Sequence, residues 1–160
     1  MPRSILLLAC CLLLFVCVLS PAASRSDFEK VVDFSITLKT LAAVAEGKTP
    51  LSTGRLAMLE GTVSNVTILD KEQETFRVRV EIISGEWFGL DDVKSYTCLV
   101  EFAGPEYFKV FPAKAPRNPG PNVVVQNNRL VVIGRPFQVI KTPLGENRVL
   151  VEGLFLRVVR

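Results

Sequence analysis

Hydrophobic and polar positions change rhythm several times along the chain. Residues 5–19 are apolar without a break. Between 27 and 47 two periods compete. Phe28, Val31, Val32, Leu38, Leu41, Ala42 and Ala45 leave a partial helical stripe, whereas Val32, Phe34, Ile36 and Leu38 alternate with polar residues as in a strand. Ser26 with Glu29 matches a capping box and Gly47 is a helix stop, so a helix is predicted at least over 37–46. A turn-rich stretch, 47–54, follows. From Leu56 on, the period is two. Phe76, Val78, Val80 and Ile82 alternate with Arg77, Arg79 and Glu81; Tyr96, Cys98, Val100 and Phe102 repeat the pattern. These seven apolar residues from Phe76 to Val80 and Tyr96 to Phe102 are the expected core. Strands are predicted at 56–69, 75–83, 96–102, 129–140 and 148–159. The first is interrupted near Gly61 and Ser64-Asn65, and the last has a bulge site at Gly153. Residues 85–94 read as a loop and 104–111 as a single helical turn. Prolines 112, 116, 119 and 121 keep 112–122 out of any central strand.

Three strands in close succession, a long connection and a final hairpin is the strand order of a five-stranded OB-like Greek-key barrel. Glycines inside the first, fourth and fifth strands suit the sharp coiling of a small closed barrel, and closure removes apolar edges. The fold class is therefore mainly β, with a short N-terminal helical segment. The expected division is 1–24 as a signal peptide, 25–55 as a partly helical extension and 56–160 as the barrel.

Residues 56–159 are similar to the tRNA-anti-like branch of OB-fold proteins. The carrying residues are Leu59-Glu60-Gly61-Thr62-Val63, Tyr96-Thr97-Cys98-Leu99-Val100-Glu101-Phe102 and Leu130-Val131-Val132-Ile133-Gly134-Arg135. They supply a Gly-x-Val start, a cysteine-bearing third strand ending in Phe and a Val-x-Gly fourth strand. The resemblance implies an OB barrel with a nucleic-acid heritage. The chain departs from it in the proline-rich 112–121 segment, where many OB-folds place a helix.

Composition adds exclusions. With 49% hydrophobic and 22% charged residues in 160, the chain can bury a core and is not disordered. It has no histidine, which removes Ser-His-Asp and Cys-His catalysis and His-ligated metals. Arg3, the apolar run and the small residues Ser20, Ala22, Ala23 and Ser24 form an export signal, with cleavage before Ala23 or before Arg25. The alternatives are an uncleaved anchor and lipidation at Cys10 or Cys17. The mature chain is expected in a periplasm or secreted. Cleavage removes Arg3 and no acid, leaving a nearly neutral chain without a bulk electrostatic grip on nucleic acid. Only Cys98 of the four cysteines would remain, so no internal disulfide forms.

The candidate ligand site is Arg77, Arg79, Trp87 and Phe88. The arginines share one side of the second strand, which OB-folds use with the third for ligands, and the aromatics follow nearby. The alternative is a solvated strand face with Trp87 and Phe88 folded back as a lid. The basic 112–121 segment is either a preordered proline-rich ligand or a stiff surface connector. Glu86, Asp91 and Asp92 are oxygen ligands without the spacing of a cation loop. Cys98 on an apolar face acts as a small hydrophobe. Asn65-Val66-Thr67 is a glycosylation sequon. No catalytic constellation, cofactor or metal is expected. The function expected is that of an exported, non-enzymatic binding or adaptor module contacting a protein or polymer through the face of the second and third strands. The alternative is an exported OB-fold protein for single-stranded nucleic acid or a nucleotide.

Overall fold

The computed structural model describes residues 25–89 and 92–159. Residues 1–24, expected above to be a signal peptide, and Asp91 of the acidic group lie outside the described residues. The chain divides into two compact units, Met1–Lys30 and Val31–Arg160. A seven-residue helix, α1, spans Arg25–Val31.

The second unit is a closed five-stranded barrel. Its elements are β1 (Val32–Asp33), α2 (Leu38–Ala45), β2 (Leu56–Asp70), β3 (Arg77–Phe88), β4 (Asp92–Ala103), β5 (Arg129–Lys141) and β6 (Asn147–Val159). β2, β3 and β4 form an antiparallel meander, β5 and β6 a hairpin. The seams are antiparallel between β2 and β5 and parallel between β4 and β6. This is the OB-like topology expected from the strand order. Its core is the predicted one: Phe76, Val78, Val80, Tyr96, Cys98, Val100 and Phe102 are all buried.

β2 reaches both seams because it bends. Its first half pairs with β5, its second with β3, and Thr62 pairs with both. A bulge lies between Val63 and Asn65. Gly61 stands at the bend, where an added Cβ would lie 3.0 Å from the Ile83 carbonyl oxygen and 3.0 Å from Leu38 Cδ1. The expected interruption near Gly61 is thus a corner within one strand.

α2 occupies the predicted helical stretch. Thr37 caps it: Thr37 Oγ1 accepts from the Thr40 amide at 3.2 Å, and Thr40 Oγ1 accepts from the Thr37 amide at 2.8 Å. Leu38, Leu41 and Ala45 are buried in the barrel core. The competing strand alternation yields only Val32 and Asp33, paired in parallel with Leu56 and Ala57.

Among the described residues, no helix longer than the Pro105–Tyr107 turn follows β4. Aromatic packing takes its place. Phe111 is buried; its ring centroid is 5.5 Å from that of Phe102, and Tyr107 lies 5.0 Å from Phe102. The connection is tied back through Val124 N–H to the Val110 carbonyl (2.9 Å) and Val63 N–H to the Asn128 carbonyl (2.8 Å). Burying one such phenylalanine is worth about 1.5–3 kcal/mol. Residues 113–120 are exposed, as a surface connector would be.

One loop expectation fails. Residues 85–94 are not a loop: β3 and β4 continue their pairing without a shift to Phe88 and Asp92. Beyond Ile83 on β3 and before Leu99 on β4, the two strands lose their other neighbours. They project as a two-stranded arm.

Candidate ligand-binding face

Alternation along β3 sends Val78, Val80 and Ile82 inward and Arg77, Arg79 and Glu81 outward. Registers across the barrel then align one outer row, Thr67, Arg79, Glu101, Glu152 and Arg135, on β2, β3, β4, β6 and β5. The charges in this row are matched. Glu101, whose side chain is 12% exposed, accepts from Arg77 Nε and from Arg79 Nη2, both at 3.1 Å, and pairs also with Arg77 Nη2. Arg135 Nη1 lies 3.7 Å from Glu152 Oε2. A groove of ≈ 530 Å³ follows the row; Arg77, Glu101, Tyr107, Arg135, Phe137 and Leu154 are among its lining residues.

Burial raises the pKa of Glu101, but hydrogen bonds from Arg77 and Arg79, together with their charges, outweigh it and hold the carboxyl below its ordinary value. A lowered carboxyl pKa stabilises the fold above the unfolded-state value, and this contribution is lost as pH falls through the folded-state value. Glu101→Gln should therefore destabilise the protein at pH 7 by about 1–3 kcal/mol, since two guanidiniums lose their charged acceptor. Its penalty should shrink below pH 4.5, the ordinary carboxyl value, in urea titrations across pH. A pH-independent penalty would refute the pairing.

The arm carries the aromatics. Trp87 is 71% exposed and stands opposite Val93, itself 48% exposed. It is not a lid on the barrel. Phe88, 45% exposed, alternates to the other side of the arm. There Lys39 Nζ lies 5.7 Å from the Phe88 ring centroid and 5.9 Å from that of Tyr96, and Lys94 Nζ lies 5.6 Å from Tyr96. Glu86 accepts from Lys39 at 2.8 Å and from the Tyr96 hydroxyl at 2.9 Å. The Lys39 bond, then that of Tyr96, holds the Glu86 carboxyl below its ordinary value.

The four expected site residues therefore do not form one edge. Arg79 and Trp87 share a face but stand eight residues apart on a continuous strand, about 25 Å. Phe88 points to the opposite face. The separation follows from the arm: a loop would have folded the aromatics back, whereas paired strands carry them away. Lys39, Lys94, Glu101, Arg135 and Glu152 complete the two regions and were not singled out by sequence. Glu101 could have been found from the outward positions of its strand. Arg135 and Glu152 depend on the parallel β4–β6 register, which leaves no local signal.

The remaining candidates carry no chemistry. Burial pushes the Cys98 thiol far up, so it is a packing group. Glu86 is engaged in the arm, and Asp92 stands opposite Phe88. Among the described residues no cluster of three or more His, Cys, Asp or Glu could hold a metal ion, and no helix is long and apolar enough to cross a membrane. Asn65 is exposed, with Nδ2 3.3 Å from Thr67 Oγ1.

No family model matches the chain, and no curated protein matches it. Solved structures do. A small single-stranded DNA-binding protein from Streptomyces coelicolor is similar over 69% of this chain and 94% of its own, with 10% identity and a TM-score of 0.42. A counterpart from Mycoplasma pneumoniae covers 66% of this chain and 91% of its own, with 12% identity and a TM-score of 0.38. The SSB of Plasmodium falciparum, in complex with ssDNA, covers 66% and 94%, with 11% identity and a TM-score of 0.41.

Proposed function

We propose that this chain is a non-catalytic OB-type binding module that holds single-stranded nucleic acid on the β3–β4 arm, by stacking more than by charge. The observation that carries this reading is the exposure of Trp87 on a paired arm whose other side carries Phe88, Lys39 and Lys94. Aromatic platforms flanked by cations are what unstacked bases and their phosphates require, and stacking is worth about 1–3 kcal/mol per base. Trp87 is the single tryptophan of the chain, so it reports on its own occupancy. An oligothymidylate should quench its fluorescence. With only Lys39 and Lys94 at the arm, and Lys39 already paired with Glu86, the affinity should fall with a log–log salt slope no steeper than about −1.4, at roughly 0.7 per phosphate. Trp87→Ala should leave the melting temperature unchanged, because exposed side chains seldom matter by more than about 0.5 kcal/mol, yet weaken binding at least tenfold. An oligonucleotide that fails to bind at 20 mM salt sinks the reading.

A second reading, an adaptor for a protein or an uncharged polymer, is favoured by one observation. The arginines of the outer row already have carboxylate partners, Arg77 and Arg79 in Glu101 and Arg135 in Glu152. Such a ligand would bind without a salt slope. In either case we propose export, supported by Arg3, the apolar run 5–19 and the small residues after it. An intact mass of the native protein beginning between Ala22 and Ser26 is expected; a retained leader or a lipidated cysteine would contradict this.

A further inference from the structure

We infer that the outer face of β2, β5 and β6, opposite in the barrel wall to the β3–β4 side, is where two copies of this chain associate. Three rows cross this face. Met58, Ile133 and Phe155 form the first, Glu60, Val131 and Arg157 the second, and Thr62, Arg129 and Val159 the third. Met58 is 42% exposed and Phe155 53%. Leu154, also exposed, is the extra residue of the β6 bulge between Gly153 and Phe155. An apolar depression of ≈ 1140 Å³ lies over Met58, Val131, Leu154, Phe155 and Val159. A contiguous exposed apolar patch of this kind marks an interface.

The pattern of the rows selects a second copy as the occupant. Two such faces pack as aligned sheets about a twofold axis that runs along β5 between them. That operation lays β2 of each copy over β6 of the other and keeps each row at its own level. Met58 then meets Phe155 of the other copy, Ile133 meets Ile133 and Val131 meets Val131. Glu60 meets Arg157, so acid lies on base twice, at either side of an apolar centre. In the first two rows the face is self-complementary, apolar on apolar and acid on base; in the third Arg129 meets Arg129, a cation that Glu60 of its own chain already pairs. Glu60 also pairs with Arg129 of its own chain at 2.6 Å, which presets its carboxylate on this face. The arm with Trp87 and Phe88 lies on β3 and β4 and stays outside the interface, so each dimer presents two arms.

Sedimentation of the full chain from 1 to 200 µM tests this. A monomer–dimer equilibrium is expected in that range. Phe155→Asp should weaken association at least tenfold with an unchanged melting temperature, since the ring is already half in water. Glu60→Arg and Arg157→Glu should each weaken it, and the two changes in one chain should restore it, as should mixing the two single variants. A monomer at every concentration would overturn the inference, as would a dimer indifferent to Phe155→Asp or a double variant no tighter than the singles. A monomer that floats with anionic vesicles through Phe155 would assign the face to a lipid surface and overturn it equally.

Discussion

Val78→Asp should leave no folded protein to measure. Val78 has no exposed surface and lies near the start of β3, paired with Phe102 on one side and Ile68 on the other, within the core cluster. A carboxylate there has no cation in reach, because the arginines of β3 point to the opposite face. Burying an ionised or unpaired acid costs several kcal/mol at least, against a stability of about 5–15 kcal/mol for a domain of this size. Circular dichroism should show neither the strand signal nor a cooperative melt. Arg79→Asp, one residue on and facing outward, is the control: it should still fold, weakened by the lost bond to Glu101 and by an acid set opposite that acid. A cooperatively melting Val78→Asp protein would invert the two faces of β3.

Gly153→Val is the second large effect. An added Cβ at residue 153 would fall onto the ring of Phe102. That ring cannot retreat. It is fully buried and held at 5.0 Å by Tyr107 and 5.5 Å by Phe111. Overpacking a filled core costs about 1–3 kcal/mol and occasionally more, and a branched side chain against an immobile ring belongs at the upper end. The melting temperature should fall by roughly 10 °C, at about 2–4 °C or more per kcal/mol for this length. The diagnostic is coupling. Phe102→Leu destabilises the parent by emptying space, yet in the Gly153→Val background it should restore stability. Strict additivity of the two changes would show that they do not touch.

The barrel was legible where the period was local. Phe76 to Ile82 and Tyr96 to Phe102 alternate cleanly because each strand has one face in the core and one in water, and their burial follows. The helix was legible in its stretch and at its stop, Gly47; its capping box, Thr37 with Thr40, was not, and the box read at Ser26 and Glu29 falls in α1 instead. What was not legible depends on partners distant in the chain. The arm was read as a loop because Gly85 and Gly89 resemble breakers, whereas cross-strand pairing, Trp87 with Val93 and Glu86 with Lys94, carries the strands through. The candidate site divided for the same reason. Parity placed Arg77 and Arg79 together correctly, but the distance to Trp87 depended on whether the chain turned or continued. The neutralisation of those arginines by Glu101 needed the β3–β4 register, and the full charged row needed a parallel contact fifty residues apart.

The parallel seam also governs how the molecule can be made. Leu99–Glu101 of β4 meets Leu150–Glu152 of β6, and among the described residues no other strand fills that edge. Until β6 has left the ribosome, the β2–β3–β4 meander therefore carries an open apolar edge, and neither it nor the β2–β5 seam can be locked by closure. Contacts so remote in the chain make folding slow, in the millisecond-to-second range typical of small β-barrels, and closure of the barrel must wait for β6. A barrel that stays unlocked until β6 appears remains pliable while β2 to β5 are being made. The interval is one in which a chaperone or a translocation machine would find the polypeptide unfolded and its β4 edge unguarded.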